Sequence, residues 1–422
     1  MPIFDQGYQH WQGHLSGQGW RWLAIVRHGV RVQMRNRIVR LLLLVAWLPA
    51  LGLVAAVAIW GMVEQKNPGA TALAALFMPE LVQDPQAHRS AFWTLAYSQF
   101  FKVEMQFIML LVVIAGPGLI SRDLRFNALP LYLSRPLTRF DYFLGKLGVI
   151  ATLVGAIAVV PAAIAYAIGA CFSLDLSVVK DTWHVLLASV AYGAVITLSV
   201  GTFILALSSL SRRSMYIGIT WAGIWIITSI IGVTLSTWHR ESTRHSVREA
   251  EIQRWVAEHP PPPGMQLNGT FPVTEQRASG GLKFVGVAPD QQAVANSWYQ
   301  ARMQAENQAW AKAHLPNREV ERSDWGPLLS YVSNLERISD ALLNTDGAWV
   351  GVGKAQMQAQ KMFMPRGHGS PHGVLPEADE RIYANERVYQ YPWTWSAGVL
   401  AGIVGLSVCI LLRRVKSLDR LK

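Results

Sequence analysis

The sequence predicts an all-α membrane protein: six transmembrane helices, both termini cytoplasmic, an N-terminal amphipathic interfacial helix, and a large, mainly helical extracytoplasmic insertion between helices 5 and 6. Three observations predict it. Of the 422 residues 51% are apolar and only 15% charged, against roughly 25% charged in soluble domains, so the apolar excess is concentrated in segments. Six stretches approach the ~20 apolar residues that a helix rising ~1.5 Å per residue needs to cross about 30 Å of hydrocarbon. Lys and Arg gather in alternate connections, the pattern that retains those connections in the cytoplasm.

The elements follow in order. Residues 1–40 form a cytoplasmic N-terminus, with an interfacial helix over Trp20 to Arg40 that sets Leu23, Val26, Val30, Met34 and Ile38 on one face and Arg21, His28, Arg31 and Arg35 on another. About forty mostly polar or basic residues precede the first span, which is therefore expected to be retained as an anchor. The spans run from about Leu41 to Met62, Val103 to Ile120, Leu147 to Phe172, Trp183 to Leu207, Met215 to Ser236 and Trp393 to Leu412, the second being the weakest. Residues 41–236 thus hold helices 1–5, 237–391 the extracytoplasmic domain, and 392–422 helix 6 with a basic tail. Cys171 and Cys409 both lie in apolar runs, where disulfide staples are not expected.

Charge counting sets the orientation. The N-terminal segment carries +5, the connection between spans 2 and 3 +3, that between 4 and 5 +2, and the tail +4; against +11 for the whole chain, the remainder is −3. The basic excess beside the spans also accounts for the pI near 9.8 without a nucleic-acid partner.

The insertion is nearly neutral, with 16 basic and 17 acidic residues. Helical patterns cover Ser242 to His259, Asp290 to Leu315 and Leu328 to Leu343, and Gly281 to Val287 suits a short strand. Met357, Met362, Met364, His368 and His372 form a set that could attract a soft metal, but at no defined ligand spacing, so no metal is expected. The chain has no phosphate-binding loop: Gly351-Val352-Gly353-Lys354-Ala355 lacks the first glycine and the terminal hydroxyl that such a loop needs. HExxH, paired CxxC and GxSxG patterns are also missing. The expectation is a non-enzyme that binds no cofactor of its own.

Between spans 2 and 3, the segment from Gly116 to Leu147 (GPGLISRDLRFNALPLYLSRPLTRFDYFLGKL) is denser in Arg, Asp, Pro and aromatic residues than a simple loop requires. Leu119, Ile120, Leu124 and Leu129 to Leu133 suggest a short helix along the inner surface, after which Pro136 turns the chain and Arg139 opens the next helix. With Ser134, Arg135, Pro136, Arg139, Tyr142, Gly145 and Lys146, and with Arg122 and Asp123 upstream, this stretch resembles the permease subunits of ABC-2 type ATP-binding cassette transporters. Six spans and a basic entry helix agree, and the resemblance covers roughly 20–236 and 392–422.

The resemblance implies a transmembrane subunit, with an exporter the expected type, that pairs with a second permease chain as homo- or heterodimer. It would sit among the lipids of the bacterial cytoplasmic (inner) membrane and draw energy from separate cytoplasmic ATPase subunits that use ATP and Mg. Segment 121–146 would be the coupling element, with Arg122, Asp123, Arg125, Arg135, Pro136, Arg139, Tyr142 and Lys146 as its residues. Arg135, Arg139 and Lys146 could equally anchor lipid phosphates. Glu104 is a candidate for substrate or gating contacts, or else an interfacial residue in water at the outer end of its span. The competing expectation is a membrane-anchored assembly or sensing protein whose residues 237–391 recruit a periplasmic or envelope partner.

Overall fold

The structure is a computed structural model that describes residues 20–79, 81–128, 138–276, 282–313, 323–363 and 390–419. Six of its helices or stacked helix pairs are long and apolar enough to cross a membrane. In chain order they are α2 (Arg37–Glu64), α4 (Arg89–Ala115), α6 (Arg139–Val154) with α7 (Val160–Phe172), α8 (Ser177–Ile196) with α9 (Thr202–Leu210), α10 (Ser214–Glu258) and α14 (Trp393–Asp419). Short helices α1 (Arg21–Met34) and α5 (Gly118–Arg125) lie at the end of the bundle that carries the basic connections, and α3 (Pro68–Ala75) lies at the far end.

Burial sorts the spans. The most apolar windows of α4 and of α8–α9 are 61% and 56% buried, so these helices form the centre; those of α2, α10 and α14 are 22% buried and face outward. Apolar lipid supplies little drive for helices to associate, so contact depends on close backbone approach. A side chain at Gly145 would overlap Ile25, one at Gly148 would overlap Val26, and these two glycines seat α1 against α6.

Two spans contain a π-helical turn. Gly155–Val159 joins α6 to α7 just before Pro161, whose missing N–H disturbs the ladder. Thr197–Gly201 joins α8 to α9, where the hydroxyls of Thr197, Ser199 and Thr202 bond back to the carbonyls of Gly193, Val195 and Leu198.

The second span starts earlier than its sequence suggests. Lys102 and Glu104 lower the hydropathy of its first half, yet the helix begins at Arg89. The amphipathic stripe of α1 is also turned: Ile25, Val26 and Gln33 are buried, while Leu23 and Met34 are exposed beside Trp20.

The region 237–391 divides in two. At roughly 67 Å for its 45 residues, α10 is twice as long as a bilayer core is thick and carries the fifth span unbroken into the first helical stretch of the insertion. Its last turns pack against α11 (Gln292–Ala313) around Met265, Phe284, Val287, Ala295 and Trp298, a small core of its own. Beside it lie two antiparallel hairpins, β1 (Leu267–Asn268) with β2 (Phe271–Pro272) and β3 (Thr274–Gln276) with β4 (Leu282–Phe284). The strand expected over 281–287 is β4.

The second part is α12 (Tyr331–Leu343) and α13 (Thr345–Phe363), and these share the main core with the membrane helices. The chain approaches α10 where Gly232 meets Ser330, then α12 packs on α4, α8, α10 and α14. The Tyr331 ring lies 5.7 Å from that of Trp221, itself 17 residues from the exposed Trp238, or about 25 Å along α10. Thus α12 re-enters the membrane-spanning bundle. Backbone at that depth is tolerated where protein or a polar cavity surrounds it. The insertion is therefore not a single outer unit.

Candidate coupling site

At the basic end, α4 stops at Ala115 and α5 starts three residues on, at Gly118, with Pro117 before it. The first N–H groups of any helix lack partners; here the Ser208 hydroxyl of α9 accepts from Ile120 N (3.1 Å) and Ser121 N (3.0 Å) and donates to Pro117 O (2.7 Å). The Ser121 hydroxyl donates to the same carbonyl at 2.6 Å. A third tie comes from α1, whose Gln33 amide donates to Ala115 O at 3.0 Å. The junction of α4 and α5 is thereby fixed to two other helices.

Its other end is fixed by charge. Asp123 is half-buried and receives the Lys146 ammonium at 2.7 Å and the Tyr142 hydroxyl at 2.6 Å. Lys146 also stands 5.4 Å from the centre of the Tyr142 ring. Both partners project from α6, which starts at Arg139 because Thr138 and Asp141 form a reciprocal capping box. An ion pair this sheltered holds because the Tyr142 hydroxyl shares the carboxylate's load.

The residues left outside this lattice are Arg122, Arg125 and Phe126, all exposed. The Arg125 guanidinium lies 5.6 Å from the Phe126 ring centre. Asn127, with φ of 50°, ends the segment. Of the coupling residues expected from sequence, the fold brings Asp123, Tyr142 and Lys146 together and turns Arg122 and Arg125 outward. Arg139 is the first residue of α6; Arg135 and Pro136 lie outside the described residues, as do Met362 to His372 except for the backbone of the last residues of α13. Sequence reasoning missed Ser208, Gln33 and Phe126. No local signal marks Ser208, one of three hydroxyl residues in a mainly apolar helix and 87 residues from its partner.

A family model for the ABC-2 family transporter protein matches residues 23–255, more than half of the chain. The chain belongs to the ABC-2 transporter family. No curated protein and no solved structure matches it. The match runs from α1 to the end of α10, so both ends of the coupling lattice, Asp123 and Lys146, lie inside the ABC-2 permease region, and α12 to α14 lie beyond it. Members of this family are the membrane component of their transporters, not the ATPase.

Glu104 does not join the coupling lattice. It sits 15 residues into α4, fully buried, and neither carboxylate oxygen has a hydrogen-bond partner among the described residues. The expectation of an interfacial residue in water fails because the helix begins a full four turns before it. Tyr97, on the same face of α4, donates to Ala162 O at 2.9 Å, and Phe101 meets the Tyr192 ring at 5.2 Å.

The far end of the permease is closed by a cluster that the sequence did not advertise. Arg89 is 1% exposed and grips Glu64 through two parallel bonds of 2.6 and 2.8 Å. Its remaining N–H groups reach Ser177 (2.7 Å), Asp181 (3.1 Å) and Asp175 (3.4 Å), so all five donors of the guanidinium are used. Ser173 adds a bond to Glu64 at 2.7 Å. Asp175, in the connection between spans, has its carboxyl held below the ordinary range by the Ser177 hydroxyl and by Arg89.

Proposed function

We propose that this chain is the transmembrane subunit of an ATP-driven exporter, working with a second permease chain and with separate cytoplasmic ATPase subunits in a bacterial cytoplasmic membrane. The observation that carries the reading is the mounting of α5: its buried side is held by Ser208, Lys146 and Tyr142, while its other side offers Arg122, Arg125 and Phe126 to a partner. A partner whose shape changes with nucleotide can move the spans only through an element bonded to them, and only by binding two arrangements unequally. The lattice supports α5 in that role, with α4, α6 and α9 as the helices it would pull.

The basic connections support placing this end in the cytoplasm, where ATP and Mg are available to the partner. Outward transport fits a permease with a folded module at its far end, and that module offers a surface for an envelope partner. The test is reconstitution of the chain with its ATPase in vesicles. Arg122→Glu with Arg125→Glu should remove stimulation of ATP hydrolysis and ATP-driven transport while the protein still inserts and elutes as a folded species. Full stimulation in the double variant would remove α5 from the coupling path.

A further inference from the structure

The re-entrant helix α12 brings a polar face into a mainly apolar bundle, and that face is only partly satisfied. Asp340 accepts from the Ser98 hydroxyl at 3.0 Å and from Lys102 at 3.5 Å, both on α4. Glu336, one turn earlier on the same face, also looks toward Lys102. The Tyr192 hydroxyl of α8 faces Glu336, Asp340 and Ser339, yet neither it nor the Ser339 hydroxyl reaches a hydrogen bond among the described residues. Deeper in the same seam, the Tyr331 hydroxyl faces Ser199, again without a bond, and Asn334 Oδ1 is unpartnered. Tyr192, Asn334 and Ser339 are each 2% exposed or less. Folded proteins leave few buried polar groups without partners, so several in one seam mark a surface built to meet something polar.

Charge says what. Two carboxylates, Glu336 and Asp340, face one ammonium, Lys102; the other cation of the helix, Arg337, turns away to Tyr391 O (2.8 Å) and Asp346 (3.2 Å). Among the described residues, then, the seam has two carboxyl groups for one ammonium at a depth where an unmatched charge is costly. Lys102 and Glu336 are half-buried and form its mouth, with Asp340, Ser339 and Tyr192 behind them. The rings of Phe101, Tyr192 and Tyr331 supply apolar and π faces beside the charge, a setting that suits an organic cation.

We propose that the seam between α12, α4 and α8 is a substrate site for amphiphiles bearing a cationic group, with Glu336 as the anionic contact and Lys102 occupying its place when no substrate is bound. This assignment of substrate class rests on the reading of the chain as a transport subunit, but its test does not need transport. The full-length protein is purified in detergent without any ATPase. Equilibrium binding is measured with radiolabelled tetraphenylphosphonium and with tetraphenylborate, which have nearly the same shape and opposite charge.

The expected result is saturable binding of the cation alone. Glu336→Gln should weaken it about tenfold or more, and Lys102→Gln, which removes the internal competitor, should strengthen it. Both variants are checked for an unchanged gel-filtration profile; because they move affinity in opposite directions, general damage cannot mimic the pair. Equal binding of cation and anion, or affinity unmoved in both variants, would overturn the proposal. If binding behaves as expected but ATP-driven transport fails, the transport reading falls and the site remains; if transport proceeds and the cation does not bind, only the site falls.

Discussion

At the far end of the bundle a single guanidinium holds four polar partners and is itself hidden, whereas at the basic end a lysine and a tyrosine share one aspartate and leave two arginines facing outward. Both clusters tie spans together with charge-assisted bonds. The far cluster joins α2, α4 and α8 and spends all its donors internally, so it can act only as a clamp. The basic cluster satisfies Asp123 internally but leaves Arg122 and Arg125 exposed, so that under the proposed function force applied to α5 would pass to α6 through the ion pair and to α9 through Ser208. The same kind of bond makes a lock when its donors are exhausted and a joint when some are left over.

The largest expected effect is at the clamp. Arg89→Ala leaves Glu64 buried without its partner, a loss of roughly 3–5 kcal/mol, and thermal unfolding in detergent should show a large drop in stability. Arg89→Lys should recover only part of it, because an ammonium cannot make the paired bonds to Glu64. A wild-type melting profile for Arg89→Ala would mean that the far end is not a clamp.

Asp123→Ala should cost less, about 3 kcal/mol at most for a sheltered pair, and its signature is functional. With the ATPase present, hydrolysis should continue while transport falls, since α5 still docks but no longer pulls α6. If Asp123→Ala and Arg89→Ala lost stability equally and transport in proportion, the distinction between joint and lock would disappear.

The smallest effect concerns acid. Because the folded Asp175 carboxyl titrates below its ordinary value, its contribution to stability is complete above about pH 4 and is lost as the pH falls through the lowered folded value. Asp175→Asn should therefore lower stability slightly at neutral pH and leave it unchanged once the pH is below the folded value, so that the acid limb of the stability curve flattens. A neutral-pH loss as large as that of Arg89→Ala would show that Asp175 carries more of the clamp than its exposed position implies.

Several features could be read locally because they have local causes. Uninterrupted apolar runs announced α2 and α14, Thr138 and Asp141 bracket the start of α6 within one turn, and the basic residues between spans are countable without a fold. The second span was misplaced because Lys102 and Glu104 lower its hydropathy, and their burial depends on helices far away in the chain. Half of the coupling lattice was foreseeable, since Asp123, Tyr142 and Lys146 lie in one segment; Ser208 and Gln33 were not, because each reaches its partner across more than eighty residues.

By itself, then, the sequence determined the number of spans, the segregation of basic connections and the segment that resembles a coupling element, all properties of short windows set by the cost of exposing apolar or charged groups to the wrong medium. Only the tertiary structure decided that α12 lies inside the bundle. Ser98 and Asp340 meet across 242 residues, and α12 carries too many polar side chains to pass as a membrane segment on hydropathy. Its place is set by partners on α4, α8, α10 and α14, which accept that polar face only when all of them are assembled around it.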